Sequence, residues 1–214
     1  MIGFIFCHGW GLNANFWNHL KEHFAAHPCL FWDLGYFNEP SRPLPEKESQ
    51  TEWFGVGHSL GLIQLLQSDV PFKGLIGLQS FLNFLGNDSR LHQARARFLE
   101  KMIADFQKNP LASLKTFHAQ CEIEFEIPKT MNANLLQQDF QKLKTDFSNL
   151  TPKIPCLILG SSDDPIVPPR LLEDNFKHAP HIQIALHSSG LHGLGCKETG
   201  FVLQQIQNFV ESHE

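Results

Sequence analysis

Residues 53–61 read Trp53-Phe-Gly-Val-Gly57-His58-Ser59-Leu60-Gly61, a short apolar run followed by a serine between glycines. The apolar run predicts a buried strand, and residues 60–66 continue with helical spacing. A serine at such a strand-to-helix turn needs small residues two positions before and after it, because the turn is cramped. The turn raises the serine Oγ above the sheet edge and predicts Ser59 as a nucleophile. A turn with a structural role only is the alternative.

Short apolar runs ending in glycine or polar residues recur along the chain. They predict strands at residues 2–7, 29–32, 53–56, 75–78, 154–159 and 181–186. Helical spacing falls between or beside them, at residues 16–24, 60–66, 169–176 and 200–210. This alternation predicts an α/β fold with a doubly wound, mainly parallel sheet.

Strand patterns mostly stop between residues 82 and 150. Helical patterns replace them at residues 94–106, 111–119 and 133–147. We expect one domain over residues 1–214, with 82–150 inserted as a helical lid over one edge of the sheet. Residues 38–52 contain several prolines and predict a loop rather than a helical crossover.

Composition restricts the function classes. The 214 residues are 42% hydrophobic and 18% charged with a net charge of −5, which excludes whole-chain disorder and gives no support to a nucleic-acid partner. Five cysteines without a CxxC pair argue against a disulfide framework and a structural metal site. No lysine or arginine precedes the apolar start, so neither a signal peptide nor a membrane span is expected. We therefore expect a cytoplasmic protein that needs no metal or other cofactor.

A nucleophilic serine needs a base that is oriented by an acid. In folds with this strand-to-helix turn, the acid and then the histidine follow the serine along the chain, at the ends of later strands. Asp163 and Asp164 lie in a loop after the predicted strand 154–159. We expect Asp164 to be the acid, because it directly precedes a Pro-Ile-Val-Pro turn, and Asp163 stays as the alternative.

The general base is predicted after the last strand, in Ser188-Ser-Gly-Leu-His192-Gly-Leu-Gly195. A histidine between glycines at a strand end can place its ring over the sheet edge, with one nitrogen facing the acid and the other facing the serine. His192 is therefore the predicted base. His187, at the end of the strand pattern, is the competing candidate.

Two backbone N–H groups are expected to stabilise an oxyanion. The first belongs to Leu60, at the helix start behind the nucleophile. The second belongs to Trp10, in the loop Phe6-Cys-His8-Gly-Trp10-Gly-Leu-Asn, where flanking glycines let the main chain approach the serine. His8 is expected to brace this loop.

Taken together, these motifs resemble the α/β-hydrolase superfamily. Within it, the run His8-Gly-Trp-Gly-Leu-Asn-Ala14 resembles the pimeloyl-[acyl-carrier protein] methyl ester esterases of biotin synthesis. The similarity continues at Phe31-Trp-Asp33, at Asp105-Phe-Gln107, and at the three triad motifs. The chain differs in lacking a strand hairpin before residue 2, which implies a trimmed N-terminus, and in carrying His58 where those esterases have an aromatic residue. We interpret His58 as a space-filling residue, with a hydrogen bond near the site as the alternative.

The resemblance implies a serine carboxylesterase that cleaves the methyl ester of an acyl chain carried on acyl carrier protein. That carrier is acidic, and residues 90–115 hold six cations against two anions. Arg97 and Lys108 are the implied carrier contacts, and Phe117 is a candidate acyl contact, although packing inside the lid is its more conservative interpretation. Alternatives are a generic short-chain esterase or thioesterase, a C–C bond hydrolase, a menaquinone-pathway lyase, and a non-catalytic binding module.

Overall fold

A sheet of parallel strands forms the centre of the computed structural model, which describes residues 1–46 and 50–214. Within the described residues the sheet has six strands in the order β2-β1-β3-β4-β5-β6, and all neighbouring pairs are parallel. The strands are β1 Ile2–Cys7, β2 Cys29–Trp32, β3 Glu52–His58, β4 Phe72–Leu78, β5 Cys156–Ser161 and β6 Ile182–His187. The α/β fold class predicted from the sequence is confirmed.

Helices separate most of the strands. They are α1 Asn18–Lys21, α2 Gly61–Leu66, α3 Ser89–Lys108, α4 Pro110–Gln120, α5 Ala133–Lys142, α6 Pro169–Phe176, α7 Leu194–Lys197 and α8 Thr199–Glu211. Helices α3, α4 and α5 follow one another between β4 and β5. Residues 82–150, which contain them, are called the helical segment below.

The strand order creates a topological switch point between β1 and β3. From β1 the chain moves outward to β2, returns to β3 on the other side of β1, and then continues in the opposite direction. Ligand sites in open parallel sheets form outside the carboxyl ends of the strands at such a point. The loops after β1 and β3, which carry Trp10 and Ser59, meet there. From Trp53 to His58 every residue of β3 is buried, so both faces of this strand are covered.

Four predicted strands have different bounds in the structure, for physical reasons. The strand expected at 75–78 begins at Phe72, because Phe72 and Gly74 also pair with β3. The strand expected at 181–186 is Ile182–His187, whose ends pair with the two ends of β5. The strand expected at 154–159 is Cys156–Ser161, because Pro155 has no N–H to donate, although its oxygen accepts from the Leu75 N–H at 3.0 Å. The strand expected at 53–56 extends from Glu52 to His58. Its pairing with β4 brings the added residues into the sheet.

Several predicted helices also differ. In place of the helix expected at 16–24, the structure has a 3₁₀ turn, the short helix α1 and another 3₁₀ turn. A continuous helix is disfavoured here because the segment contains the weak helix formers Asn15 and Asn18. Helix α3 begins at Ser89 instead of residue 94, since the Asp88 side chain accepts the N–H groups of Arg90 and Leu91. Helix α5 ends at Lys142 instead of residue 147.

The segment between β2 and β3 is irregular in its described part. Asp33 forms an isolated antiparallel bridge with Ser41. The loop predicted at 38–52 includes residues 47–49, which lie outside the described residues. Among residues 1–46 and 50–214, no helix is both long and apolar enough to cross a membrane.

Candidate active site

The turn at Ser59 is held in a strained conformation by steric contacts. Ser59 has a φ of 52°, in the left-handed region that a residue with a side chain rarely adopts. A Cβ at Gly57 would lie 2.4 Å from the Leu62 nitrogen, and a Cβ at Gly61 would lie 2.1 Å from the Cys7 oxygen. Both contacts are with backbone, so only glycine fits at these positions. Strain of this kind is typical of a nucleophile turn.

Ser59, His192 and Asp164 form a connected chain of hydrogen bonds. His192 Nε2 lies 3.2 Å from Ser59 Oγ, and His192 Nδ1 lies 2.8 Å from Asp164 Oδ2. His192 and Asp164 are 0% and 3% exposed, and Ser59 is 7% exposed. A neutral imidazole protonated on Nδ1 donates to Asp164 and accepts the Ser59 hydroxyl proton. The three residues predicted from separate motifs therefore meet at one edge of the sheet.

Hydrogen bonds to both carboxylate oxygens hold the Asp164 side chain in place. Oδ1 accepts the N–H groups of Ile166 at 2.7 Å and Val167 at 2.9 Å, while Oδ2 faces His192. Asp163, the alternative acid, accepts the Leu191 N–H at 2.9 Å instead. It thereby holds the loop that carries His192.

His187, the alternative base, lies away from Ser59. Its Nδ1 is 2.9 Å from the Ser189 oxygen, and its Nε2 is 3.9 Å from Glu198. Both ring nitrogens therefore face groups other than Ser59. His187 is therefore not in position to accept a proton from Ser59.

Gln79 is a site residue that the sequence reasoning missed. It follows β4, is 0% exposed and has a φ of 50°. Its Nε2 donates to Asp164 Oδ2 at 2.7 Å and to the Leu191 oxygen, while its Oε1 accepts the Leu194 N–H at 2.9 Å. Gln79 thus ties the acid to both sides of the His192 loop. A polar residue directly after an apolar strand was the only available signal.

The loop after β1 approaches the nucleophile closely. A Cβ at Gly9 would lie 2.7 Å from His58 Nδ1 and 3.0 Å from Ser59 Cβ, so glycine is required for this approach. Within the described residues, neither the Trp10 nor the Leu60 backbone N–H donates to another protein group. His8 braces the loop, since its Nε2 accepts the Leu34 N–H at 3.0 Å and its Nδ1 lies 2.9 Å from the Gly9 oxygen.

The helical segment holds this loop by two further hydrogen bonds. The Trp10 indole donates to the Leu136 oxygen of α5 at 2.9 Å, and His118 of α4 donates through Nε2 to the Gly11 oxygen at 2.9 Å. Burial lowers the pKa of His118 to about 4, so its ring is neutral. The Trp10 ring also contacts Phe140, with 4.0 Å between ring centroids. The loop that supplies Trp10 is therefore attached to α4 and α5.

His58 contacts the base directly. Its Nε2 lies 3.0 Å from the His192 main-chain oxygen, and the two ring centroids are 4.9 Å apart. Burial lowers the pKa of His58 well below its usual value, so the ring is neutral and donates to that oxygen. The hydrogen bond near the site, given above as an alternative role, is present, and the ring also packs 4.5 Å from the Phe16 ring.

A small apolar cavity adjoins Ser59. Its volume is about 20 Å³, enough for about one water molecule. The cavity is lined by Trp10, Ser59, Leu60, Phe81, Phe84, Met102, Phe117, Phe140, Leu143 and Ile166. Phe117 thus faces the candidate nucleophile, with its ring centroid 6.2 Å from that of His192. No ester of useful size fits while the helical segment is in this position.

A larger groove of about 430 Å³ lies between α3 and α4 on the outer side of this cavity. Met102 and Phe117 line both spaces, so these two side chains separate the groove from Ser59. Lys101 and Lys108 contribute to the groove wall, and Lys101 pairs with Asp105 at 2.5 Å. Arg97 is exposed on α3 and is not part of the groove wall.

Among residues 1–46 and 50–214, no three His, Cys, Asp or Glu side chains are grouped so that they could hold a metal ion. All five cysteines are free thiols.

Solved enzyme structures share this architecture. An esterase from Exiguobacterium antarcticum has a TM-score of 0.79 at 13% sequence identity, over 99% of this chain and 92% of that chain. A bromoperoxidase from Bacillus anthracis has a TM-score of 0.78 at 16% sequence identity, over 98% of this chain and 91% of that chain. MenH from S. aureus has a TM-score of 0.75 at 14% sequence identity, over 100% of this chain and 94% of that chain.

These similarities show that the chain has the α/β-hydrolase fold, which the sequence motifs predicted. Sequence identities of 13% to 16% establish the fold alone. No protein-family model matches the sequence, and no curated protein matches it significantly. Any activity has to be argued from the site itself, because this fold hosts several chemistries.

Proposed function

We propose that the protein is a serine hydrolase that acts on carboxylic esters. The observation that carries the proposal is the buried hydrogen-bond chain from Ser59 Oγ through His192 to Asp164, with distances of 3.2 and 2.8 Å. Such an arrangement activates a hydroxyl group that is otherwise a weak nucleophile. The two unpaired N–H groups of Trp10 and Leu60 beside Ser59 supply the donors that ester hydrolysis requires.

Each residue then has one role in the reaction. Ser59 Oγ attacks the ester carbonyl carbon while its proton passes to His192 Nε2, and Asp164 stabilises the resulting imidazolium. The Trp10 and Leu60 N–H groups donate to the oxyanion of the tetrahedral intermediate. His192 returns the proton to the leaving alkoxide, so an alcohol departs and leaves an acyl group on Ser59. A water molecule, deprotonated by His192, hydrolyses this acyl-enzyme and restores the free serine.

The helical segment acts as a lid in this proposal, within a single domain over residues 1–214. The 20 Å³ cavity cannot hold an ester, so substrate binding requires Met102 and Phe117 to move. Both residues separate the cavity from the open groove between α3 and α4, so their movement would connect the groove with Ser59. Lid movement of this kind commonly limits turnover.

The resemblance in the Trp10 loop supports a more specific substrate, the methyl ester of a pimeloyl chain on acyl carrier protein, in the cytoplasm. The groove fits a long acyl chain on a carrier, because Phe98, Met102 and Phe117 give it apolar walls. Lys108 lies at the same groove and can attract an acidic carrier. Arg97 lies outside the groove, so its contribution is limited to long-range attraction.

The test compares the carrier-bound methyl ester with short p-nitrophenyl esters. The wild-type protein is expected to hydrolyse both, and Ser59→Ala is expected to hydrolyse neither. Lys108→Glu should slow hydrolysis of the carrier-bound ester several-fold more than Lys115→Glu, which makes the same charge change at an exposed α4 lysine outside the groove. Turnover of the short esters alone would restrict the proposal to a generic esterase, and persistent turnover by Ser59→Ala would refute the nucleophile.

A further inference from the structure

Arg95 is a buried cation, and no carboxylate of the described residues pairs with it. Its side chain lies on α3, and the residue is 6% exposed. Nε donates to the Phe84 oxygen at 3.2 Å. Within the described residues the two terminal nitrogens donate to no protein acceptor, and Nη2 is fully buried. Burial of an arginine in this state is costly, because charged groups inside proteins are normally paired.

The guanidinium lies between the cavity and the groove. Its carbon is 4.0 Å from the centroid of the Phe84 ring, which lines the cavity beside Ser59. It is also 5.2 Å from the centroid of the Phe98 ring, which lines the groove between α3 and α4. On α3, Arg95 precedes Met102 by seven residues, so both side chains lie on the same face of the helix. A substrate that displaces Met102 therefore passes close to Arg95.

Within the described residues, no paired carboxylate balances the positive charge of Arg95. Burial lowers its pKa to about 10, and the negative charge of Asp164 offsets part of that effect. Asp164 already accepts four hydrogen bonds, from His192, Ile166, Val167 and Gln79, and within the described residues no hydrogen bond or ion pair joins it to Arg95. The guanidinium is charged at neutral pH, and its outer edge has two donors to offer.

We propose that Arg95 binds a carboxylate on the substrate, so that the preferred esters are half-esters of dicarboxylic acids. The Nη1–Nη2 edge of an arginine matches the two oxygens of a carboxylate. A single negative charge balances a single guanidinium between two phenyl rings, whereas a phosphate dianion would leave a buried charge uncompensated. The acyl chain would extend from Ser59 along the cavity toward Arg95.

This inference rests on ester hydrolysis at Ser59 but is independent of the carrier. A methyl ester whose far end is a carrier thioester has no carboxylate for Arg95. The two substrate proposals therefore predict different responses to substitution of Arg95.

The test uses matched pairs of methyl esters with acyl chains of four to seven carbons. In each pair one ester ends in a carboxylate and the other ends in a primary amide of nearly the same shape. The wild-type protein should favour the carboxylate by about tenfold or more in kcat/KM, the range expected for a charge-assisted hydrogen bond. Arg95→Met should remove this preference while retaining hydrolysis of the amide-ended ester, and Arg95→Lys should retain part of it.

Arg90→Met is the control, because Arg90 is an exposed arginine on the same helix. It should leave the preference unchanged. Equal rates for the two esters in the wild-type protein, or a preference that survives in Arg95→Met, would overturn the role of Arg95. Failure of the wild-type protein to hydrolyse any ester would instead overturn the proposed function.

Discussion

The indole Nε1–H of Trp10 donates a 2.9 Å hydrogen bond to the main-chain oxygen of Leu136. This bond joins the loop after β1, whose Trp10 N–H is the proposed oxyanion donor, to helix α5 of the helical segment. The position of α5 is therefore coupled to the geometry of the candidate site through Trp10, as the position of α4 is through His118.

Trp10→Phe should loosen this coupling. The phenyl ring retains most of the packing against Phe140, but the Leu136 oxygen, which lies inside helix α5, loses the donor outside its own helix. We expect the free energy of unfolding to fall by about 0.5 to 1.5 kcal/mol, the usual net contribution of one hydrogen bond. The kcat for ester hydrolysis should fall as well. Urea denaturation measures the loss of stability, and an ester hydrolysis assay measures kcat.

Trp17→Phe provides the matched control. Trp17 is 1% exposed, and its indole nitrogen has no hydrogen-bond partner in the described structure. A loss of stability as large as that of Trp10→Phe would show that the indole volume, not the bond to Leu136, is responsible.

The two adjacent aspartates should respond very differently to amidation. Asp164→Asn is expected to lower kcat by about 10⁴-fold, because the amide no longer holds the required tautomer of His192. Asp163→Asn should change kcat only slightly, since Asp163 contacts the Leu191 N–H and not the imidazole. Comparable losses in the two variants would contradict the assignment of the acid.

Gln79 is expected to act as a positioning residue for the Asp164–His192 pair. Gln79→Leu removes the 2.7 Å bond to Asp164 and should lower kcat by about tenfold or more, by loss of a charge-assisted hydrogen bond. Gln79→Glu places a second carboxylate against Asp164, which favours a proton in the site and should move the acid limb of the pH–rate profile upward.

A purely structural role of Gln79 would lower the amount of folded protein in both variants without moving the pH profile. Gln64→Leu tests a buried glutamine elsewhere, since Gln64 binds Arg42 at 2.7 Å on helix α2. Its profile should match that of the wild type.

Stability should fall as the pH falls, through His118. Burial lowers its folded-state pKa to about 4, whereas the unfolded value is 6.5. The unfolded chain therefore binds more protons between these pH values, and stability is lost as pH decreases through that window. By pH 5 the loss attributable to His118 is on the order of 2 kcal/mol.

His118→Gln has no titrating ring and can still donate to the Gly11 oxygen. Denaturation midpoints measured from pH 7 to pH 4 should decline less steeply for this variant. An unchanged slope would show that other groups, such as His58, account for the acid sensitivity.

Much of the fold was predictable because local signals agree with the tertiary structure. Short apolar runs became parallel strands, and α6 has the predicted bounds of residues 169–176. Helix α3 begins five residues before the predicted residue 94, because Asp88 caps it and its first residues, 89–93, are mostly polar and add little to the apolar spacing. Helices α3, α4 and α5 lie between β4 and β5 in the chain, and their position beside Ser59 depends on long-range contacts such as that between Trp10 and Leu136, which local patterns do not reveal.

Some residues of the candidate site could be predicted from the sequence, and others could not. Ser59, Asp164 and His192 each lie in a motif whose backbone shape requires particular residues, so each was identified separately. Gln79 and Arg95 carry no such local requirement. Gln79 depends on the packing of β4 beside β5 and on the loop after β6, and Arg95 is distinguished from its exposed neighbours on α3 only by its burial.

Labelling by a fluorophosphonate tests the central claim most directly. Such reagents attack an activated serine and form a stable adduct, which peptide mass spectrometry assigns to one residue. We expect one adduct per chain, on Ser59, with strongly reduced labelling in His192→Gln. An unlabelled folded wild-type protein, or an adduct on a serine other than Ser59, would contradict it.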